Sequence, residues 1–429
     1  MKKIYAALFF FYIFSANALA QDQPANFRLA INRFKQFYND NQPDSIFAMF
    51  SPEMKESLPL AQFKLTTGQL KTQLGNLTQA DLLTFSKPLA VYKATFANAV
   101  FQLNLSLNNQ DKIIGLFVRP YEQPAATALA TDESLTESPV LLKTFGGSIS
   151  GTLAVPKNAQ GKVPVVLIIA GSGPTDRDGN GAKTTLNGNT YKMLANALGK
   201  AGIATLRYDK RMIGQSVTGT KEKELRFEDY VDDAVGMINL LNEDQRFSKV
   251  IVLGHSEGAL VGTLAVRGQP ASGLISVAGA GRPAEFIVTE QLKSQPQYMA
   301  DGFKTMVDSM KRGKLTDNID PRLYWLARPS IQPYLMSWFR YDPIREMKKI
   351  KIPTLILQGT TDIQVPVTDA EKLKKANSDA TLVIIPGMNH ILKEAPADKQ
   401  QNAATYNKPD LPLKPELVTA IVTFVKGIK

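Results

Sequence analysis

Cysteine is absent from the sequence of 429 residues, and histidine occurs only twice. The absence of thiols excludes disulfide bonds, a cysteine nucleophile, thiolate metal sites and a lipid anchor on an N-terminal cysteine. The apolar stretch from Ile4 to Phe14 is too short to span a bilayer. Any chemistry that needs an imidazole must therefore use His255 or His390.

The N-terminal segment predicts a signal peptide. Lys2 and Lys3 precede the apolar stretch, and the Ala-Leu-Ala sequence at 18–20 suits signal peptidase. We expect residues 1–20 to be removed, the mature chain to begin at Gln21, and the protein to be periplasmic or secreted. An uncleaved membrane anchor is the alternative.

The charge of the chain is positive but dispersed. The formal net charge is +11, and loss of Lys2 and Lys3 with the signal peptide lowers it to +9. The basic residues occur in separate pieces such as "EMKKIK" and "EKLKKAN", without the interleaved aromatics of grooves that bind single-stranded nucleic acid. We therefore expect a solvated basic surface and no nucleic-acid site.

A change of composition divides the chain. Residues 122–140, rich in Ala, Thr, Ser, Pro and acidic residues without an apolar period, predict a linker. In residues 24–121, segments with helical spacing such as "FRLAINRFKQFYND" precede alternating segments such as "AVFQLNLSLN", which predicts a small α+β domain. With its phrase "FSPEMKESLPL", this region resembles a domain of unknown function found upstream of bacterial hydrolases. The resemblance implies a cone like that of nuclear transport factors.

The segment "KVIVLGHSEGALVG" at 249–262 combines a short buried strand with a helix of small residues. Ser256 lies between them, flanked by Gly254 and Gly258, which allow a tight turn that exposes its hydroxyl. The arrangement predicts a nucleophile elbow. The alternative is a glycine-rich turn that carries a serine by chance.

Residues 141–429 alternate predicted strands and helices, which indicates a mainly parallel sheet covered by helices on both faces. The phrases "IAGSGPTDRDGN", "LRYDKRMIGQS", "GHSEG", "GTTDIQVP" and "GMNH" occur there in that order. Through them this region resembles the α/β-hydrolase superfamily, and within it the bacterial serine-aminopeptidase-like and carboxylesterase-like branch. The resemblance implies an α/β-hydrolase fold and cleavage of an ester or peptide bond.

A serine hydroxyl needs a base to become a nucleophile, and the two histidines are the candidates. His255 precedes Ser256 on the same sharp turn, where it is poorly placed to reach the hydroxyl, so we expect a structural role for it. His390 follows the apolar strand "TLVIIPG" and is predicted to be the base. A histidine in a surface loop without catalytic function is the alternative.

A protonated imidazole needs a buried carboxylate to orient and stabilise it. Asp362 ends the predicted strand "TLILQGTTD" and respects the superfamily's chain order of nucleophile, acid and histidine. Asp342, which precedes that strand, and Asp369, which looks like a helix cap, are nearby alternatives. A cap or a turn is the alternative role for Asp362 itself.

The tetrahedral intermediate of such a reaction needs two fixed N–H donors. The backbone N–H of Glu257, directly after the nucleophile, is predicted to be one of them. The resemblance matches "AGSG" to the family's His-Gly-x phrase and implies that Ser172 provides the other. Gly173 is the alternative, because Ala170 stands where many relatives have histidine.

The segment "DRDGNG", which begins at Asp176, opens like a calcium-binding loop. Its twelfth position is Asn187 instead of a bidentate glutamate, and no helix precedes it. We therefore expect no metal and no cofactor, and a loop in which Asp176 and Arg177 brace the oxyanion segment. In "YDKRMIGQS", Asp209 and Arg211 are similarly expected to be structural.

Residues 282–349 interrupt the alternation and contain both tryptophans, Trp325 and Trp338, with several Tyr and Phe. Aromatic residues at helical spacing often only form core. Because the insertion follows a predicted strand, we expect it to form a helical cap over Ser256 and the tryptophans to contribute to substrate binding.

Taken together, these features predict an exported serine hydrolase that cleaves carboxylic esters through an acyl-enzyme on Ser256. A serine aminopeptidase-type enzyme acting on short peptides is the nearest alternative, and an acyltransferase or thioesterase uses the same chemistry. A non-catalytic envelope binding module is the alternative from a different class, and the intact set of Ser, Asp and His speaks against it. The expected partner is a small-molecule ester or a short peptide, without stable membrane insertion.

Overall fold

The structure is a computed structural model of the chain. It describes residues 23–121, 129–181, 186–292, 297–317, 319 and 323–429. The chain divides between Tyr121 and Glu122 into two compact units. Within the described ranges, no helix has the length and apolar composition that crossing a membrane requires.

The first unit consists of helices followed by an antiparallel sheet. Its helices are α1 (Ala25–Asn39), α2 (Pro43–Ala48), α3 (Pro52–Ser57) and α4 (Leu60–Leu74). Its strands are β1 (Leu77–Ser86), β2 (Leu89–Phe96), β3 (Val100–Leu107) and β4 (Ile113–Pro120). They pair in this order, and each pair is antiparallel. The predicted α+β arrangement is confirmed.

Strand β1 is an element of this unit that the sequence pattern does not predict. Its sequence "LTQADLLTFS" lacks a clean alternation of apolar and polar residues, and two register shifts interrupt its pairing with β2. Tertiary contacts compensate: Phe85 of β1 meets Phe27 of α1 edge to face, with ring centroids 5.0 Å apart.

The second unit is built around one large sheet. Its strands are β5 (Leu135–Thr144), β6 (Gly147–Pro156), β7 (Val163–Ile169), β8 (Ala204–Tyr208), β9 (Val217–Thr218), β10 (Phe247–His255), β11 (Gly273–Val277), β12 (Thr354–Gly359) and β13 (Thr381–Ile385). Their order is β13-β12-β11-β10-β7-β8-β6-β5, and β9 pairs with β6. Neighbours from β13 to β8 are parallel, whereas the pairs that involve β6 are antiparallel.

Helices cover both faces of this sheet. They are α5 (Thr190–Lys200), α6 (Phe227–Glu243), α7 (Glu257–Ala265), α8 (Ala284–Leu292), α9 (Gln297–Lys311), α10 (Tyr324–Ala327), α11 (Gln332–Trp338), α12 (Pro343–Met347), α13 (Val367–Ala376), α14 (Lys399–Ala404) and α15 (Pro415–Gly427). Along β7, Val165 and Leu167 join the cluster of α6 and α7, while Val166 and Ile168 join that of α5 and α15. A strand covered on both faces needs apolar residues at successive positions. The predicted sheet with helices on both faces is therefore confirmed.

The predicted linker at 122–140 differs from the structure at its C-terminal end, because Leu135–Thr144 forms the edge strand β5. Pro139 lies in this strand opposite Thr152. Proline cannot donate a hydrogen bond to a neighbouring strand, but an edge strand tolerates it. The Pro-, Ser- and Thr-rich composition is typical of a linker, and the prediction of a linker was therefore wrong for this part of the segment. Residues 122–128 lie outside the described residues.

The insertion predicted at 282–349 contains α8 to α12 and lies between β11 and β12. Hydrogen bonds fasten its C-terminal part to the start of α6. The hydroxyl of Ser337 accepts from the backbone N–H of Phe227 at 2.8 Å, and the hydroxyl of Tyr341 donates to Glu228 at 2.9 Å. The C-terminal part of the insertion is therefore attached to α6 by hydrogen bonds.

Candidate active site

Ser256 occupies the sharp turn between β10 and α7, with φ 56° and ψ −120°. This backbone conformation is sparsely populated for a residue with a side chain, and such strain is typical of functional sites. A Cβ on Gly254 would lie 2.0 Å from the carbonyl oxygen of Gly258, and one on Gly258 would lie 2.4 Å from that of Ile169. Both positions therefore require glycine, and the turn has the geometry of a nucleophile elbow.

The loop after β13 brings His390 to this turn. Its Nε2 lies 3.0 Å from Oγ of Ser256, and its Nδ1 lies 2.8 Å from Oδ2 of Asp362. The side chain of His390 is 6% exposed and that of Asp362 is fully buried at 0%. The structure thus brings the three predicted residues together in the order hydroxyl, imidazole and carboxylate, which activation of a serine by a base requires.

Several donors hold the carboxylate of Asp362. Its Oδ1 accepts from the backbone N–H groups of Gln364 and Val365 at 2.8 and 2.9 Å, and its Oδ2 accepts from Nε2 of Gln358 at 3.0 Å. Burial opposes ionisation, but the attraction and hydrogen bond of His390, together with the two backbone N–H groups, hold the pKa of Asp362 below its usual value. Asp362 is therefore ionised at neutral pH.

The two alternative carboxylates have other partners. Asp342 caps α12 by accepting from the backbone N–H of Ile344 at 2.9 Å. Asp369 is buried in the first turn of α13 and forms an ion pair of 2.8 Å with Arg282. Within the described part of the chain, the carboxylate that contacts His390 is therefore that of the predicted residue.

His255 is occupied by hydrogen bonds at both ring nitrogens. Its Nε2 lies 2.8 Å from the backbone carbonyl oxygen of His390, and its Nδ1 lies 2.8 Å from the hydroxyl of Tyr191. Because a carbonyl only accepts, Nε2 carries the proton and Nδ1 accepts from Tyr191, whose oxygen accepts from the N–H of Gly171 at 3.1 Å. Burial, with a smaller contribution from His390, lowers the pKa of His255 to about 3. The neutral ring therefore connects the loop of His390, through the hydroxyl of Tyr191, to Gly171 after the end of β7.

The two predicted oxyanion donors belong to segments next to Ser256. Glu257 is the first residue of α7, where an N–H has no partner within the helix. Ser172 is exposed and follows Gly171, whose Cβ, if it had one, would lie 3.1 Å from Cβ of Ser256. The predicted donor segment therefore lies against the nucleophile. The alternative donor, Gly173, is the next exposed residue of the same loop.

The loop that resembles a calcium site satisfies its own polar groups. Oδ1 of Asp176 accepts from the backbone N–H groups of Asp178 and Asn180, both at 2.9 Å. Arg177 donates to Asp209 at 2.6 Å and so links this loop to the residue after β8, while the expected bracing of the oxyanion segment stays a prediction. Within the described ranges, no group of three or more His, Asp or Glu side chains is arranged to hold a metal ion.

The structure describes the side chain of one of the two tryptophans of the insertion at 282–349. The ring of Trp338 stacks on Phe227 of α6, with centroids 5.9 Å apart and an angle of 7°, and lies 6.1 Å from the ring of Tyr334. These contacts place Trp338 in the packing between α11 and α6. Trp325 belongs to α10, but its side chain is outside the described part of the structure. Substrate binding by either tryptophan stays a prediction.

A surface cleft of about 570 Å³ is lined by residues 266–269 and 349–352. None of the residues of the elbow, the hydrogen-bonded triad or the oxyanion segment lines it. The chemistry of the side chains, and not the size of the cleft, therefore identifies the candidate site.

Comparisons with known proteins agree with this geometry. Residues 187–324 match the family model described as serine aminopeptidase, S33. The chain is 26% identical over 375 residues to esterase EstD of Thermotoga maritima, an alignment that covers 84% of this chain and 86% of the relative. The second unit has the α/β-hydrolase fold. The chain therefore carries a hydrolase of the serine type, as predicted from its elbow.

Other similarities cover less of the chain. Non-heme chloroperoxidase of Burkholderia pyrrocinia is 25% identical over 224 residues, which is 46% of this chain and 78% of the relative. The structure of Est1E from Butyrivibrio proteoclasticus with ferulic acid is 19% identical with a TM-score of 0.45, and it covers 63% of this chain and 96% of that one. Residues 32–116 match a family model of unknown function, DUF3887. The hydrolase domain is thus preceded by the predicted extra domain.

Proposed function

We propose that the hydrolase domain cleaves carboxylic esters through an acyl-enzyme on Ser256. The observation that carries this proposal is the path of hydrogen bonds from Ser256 through His390 to Asp362, at 3.0 and 2.8 Å. As Oγ attacks the ester carbonyl carbon, Nε2 of His390 takes the hydroxyl proton. The ionised Asp362 stabilises the imidazolium that results.

The backbone N–H groups of Glu257 and Ser172 bind the negatively charged oxygen of the tetrahedral intermediate. Loss of one such donor lowers kcat by about 10²- to 10³-fold in enzymes of this type. Collapse of the intermediate expels the alcohol, which receives the proton from His390. Water then attacks the acyl-enzyme with His390 as base, the carboxylic acid leaves, and Oγ of Ser256 regains its proton.

Cleavage of short peptides is the second candidate, because the family model over residues 187–324 describes a serine aminopeptidase. An aminopeptidase needs a carboxylate that is free to bind the ammonium group of its substrate. Glu257, next to the nucleophile, is already paired with Lys210 at 3.0 Å and accepts a hydrogen bond from Tyr334 at 2.7 Å. This arrangement, together with the similarity to an esterase, favours esters.

The test compares 4-nitrophenyl acetate and butyrate with amino-acid 4-nitroanilides as substrates of the full chain. We expect kcat/KM for the esters to exceed that for the anilides, and Ser256→Ala to abolish turnover. Ser309→Ala, in α9, is the matched control and is expected to retain activity. Preference for anilides that depends on Ser256 would establish the peptidase instead, and full ester turnover by Ser256→Ala would overturn the mechanism.

We propose further that the protein is exported, with residues 1–20 acting as a signal peptide. The proposal rests on the charged, apolar and small-residue pattern of this segment. Fractionation of producing cells and mass spectrometry of the mature chain test it. We expect an N-terminus at Gln21 in the periplasm or the medium, and a full-length chain in the cytoplasm would contradict export.

A further inference from the structure

A buried cluster of polar groups lies beside the oxyanion segment, and the proposed mechanism leaves it unused. Nζ of Lys210 donates to Oε1 of Glu257 and to the backbone carbonyl oxygen of Gly171, both at 3.0 Å. The other carboxylate oxygen of Glu257 accepts from the hydroxyl of Tyr334 in α11 at 2.7 Å. Lys210 is 5% exposed and Glu257 is 6% exposed. The ammonium also lies 4.3 Å from the ring centroid of Tyr230.

Stability alone does not account for this ion pair. Removal of an ammonium and a carboxylate from water is costly, and apolar side chains of similar volume are often equally stable in their place. The ammonium of Lys210 does what an apolar side chain cannot do, because it donates to the carbonyl of Gly171 as well as to the side chain of Glu257.

Lys210 connects the peptide that carries one proposed oxyanion donor to the side chain of Glu257, the residue whose backbone N–H is the other. The carbonyl of Gly171 and the N–H of Ser172 belong to one planar trans peptide, so they point in opposite directions. By holding the carbonyl on the buried side, Lys210 turns the N–H of Ser172 toward the exposed side. The N–H of Gly171 donates to Tyr191 at 3.1 Å, so both polar groups of this glycine are held by buried side chains.

Substrate does not reach the cluster. The cavity beside the ion pair has a volume of about 10 Å³, which leaves room for about one water molecule. Its lining residues are Ile169, Ala170, Tyr208, Lys210, Tyr230, Glu257 and Val261. Lys210 therefore acts on the protein backbone and does not contact the reacting atoms.

We propose that Lys210 is a positioning residue that preorganises the oxyanion hole by holding the carbonyl of Gly171 and the side chain of Glu257 together. This inference rests on the proposed esterase mechanism. Donors that are fixed before the reaction stabilise the developing oxyanion without reorganisation, so loosening the peptide between Gly171 and Ser172 slows the chemical step more than it weakens substrate binding.

The test uses the full chain with 4-nitrophenyl acetate as substrate and butylboronic acid as a tetrahedral-adduct inhibitor. Lys210→Met leaves the carboxylate of Glu257 buried without its cation, so Lys210→Met/Glu257→Gln is made beside it and compared with Glu257→Gln alone. That comparison isolates the loss of the ammonium. Lys192→Met is the control, because Lys192 is also a buried lysine and pairs with the partly buried Glu137 at 2.7 Å.

We expect the double variant to have a kcat about 10- to 100-fold below that of Glu257→Gln, somewhat less than the loss of a whole oxyanion donor. The boronate inhibition constant rises by a similar factor, while KM changes little. Lys192→Met lowers the thermal unfolding temperature but leaves kcat and the boronate constant unchanged.

A double variant with the kcat and boronate affinity of Glu257→Gln would overturn the positioning role, since the defect of Lys210→Met would then come only from an unpaired carboxylate. A rise of KM without loss of kcat would also overturn it. Failure of the wild-type chain to form a boronate adduct on Ser256 would overturn the esterase mechanism itself, which is a distinct result.

Discussion

Nε2 of His255 donates to the backbone carbonyl oxygen of His390 at 2.8 Å, across 135 residues of chain. The two histidines therefore have different tasks, although they are neighbours in space. His390 reaches Ser256 through its Nε2, whereas His255 uses its ring to hold the loop on which His390 lies. His255 is neutral in this arrangement, because its Nδ1 accepts from Tyr191 and therefore carries no proton.

The neutral state of His255 predicts that stability is lost in acid. Its pKa is about 3 in the folded protein, against about 6.5 for an unperturbed imidazole. Between these values the unfolded chain binds more protons, so the free energy of unfolding decreases as the pH falls, by about 1.4 kcal/mol per pH unit below pH 6.5. At pH 5 the expected loss is about 2 kcal/mol.

Urea unfolding of the wild type and His255→Gln at pH 7.5 and pH 5 measures this contribution. The variant is expected to be less stable at pH 7.5 but to lose about 2 kcal/mol less than the wild type on acidification. The comparison removes the contribution of the other titrating groups, which both chains share. Equal losses in the two chains would contradict a neutral, buried His255.

His390 is expected to be the general base of the reaction. His390→Ala should lower kcat by up to about 10⁶-fold, the loss seen when a triad histidine is removed, and His255→Gln should lower it far less. Kinetics of the two variants with 4-nitrophenyl acetate measure this difference, because only the ring of His390 lies within reach of Oγ of Ser256. A His390→Ala variant with the kcat of the wild type would be incompatible with this role.

The residues of the triad could be predicted because each is marked in the sequence, either by its neighbours in the chain or because few residues of its type are present. Ser256 is marked by its flanking glycines, His390 remains after His255 is set aside, and Asp362 lies where a predicted strand ends. The groups that support them have no such signal. Gln358 is buried in β12 and donates to Asp362 through a side chain that no motif distinguishes.

The contacts of Lys210 show why the rest could not be predicted. Lys210 and Glu257 are separated by 47 residues and come together only in the folded sheet, in which β7 lies between β8 and β10. Strand β5 could not be predicted for a similar reason. The composition around Pro139 indicates a linker, and only the position of β5 at the edge of the sheet explains why a strand tolerates this proline. Patterns in the chain predict elements and reactive residues, whereas packing between distant elements decides their partners.

The hydrolase unit is expected to fold and act without the residues that precede Leu129. The hydroxyl of Thr131 accepts from Lys192 at 2.7 Å, so a chain that begins at Leu129 keeps this bond and one that begins at Leu135 loses it. We expect the longer chain to hydrolyse 4-nitrophenyl acetate with a kcat close to that of the full protein, and the shorter one to unfold at a lower temperature. An inactive or insoluble chain from Leu129 would show that the first unit is needed.

Trp338 is expected to contribute mainly to stability, because its ring stacks on Phe227. Trp338→Ala should lower the free energy of unfolding by about 2–3 kcal/mol, and Trp338→Phe should recover most of this loss because it keeps an aromatic ring at the contact. Urea unfolding measures the stability, and kcat/KM for acetyl to dodecanoyl esters measures the acyl preference. A flattened acyl preference with unchanged stability would instead place Trp338 in the substrate pocket.

The most direct test of the acyl-enzyme mechanism is to identify the residue that reacts with a fluorophosphonate. The full chain is incubated with the reagent, and the site of modification is mapped by peptide mass spectrometry in the wild type, Ser256→Ala and Ser309→Ala. We predict a single phosphonyl adduct on Ser256 in the wild type and in Ser309→Ala, and no adduct in Ser256→Ala. Modification of a different residue, or of Ser256→Ala to the same extent as the wild type, would contradict the assignment of Ser256 as the nucleophile.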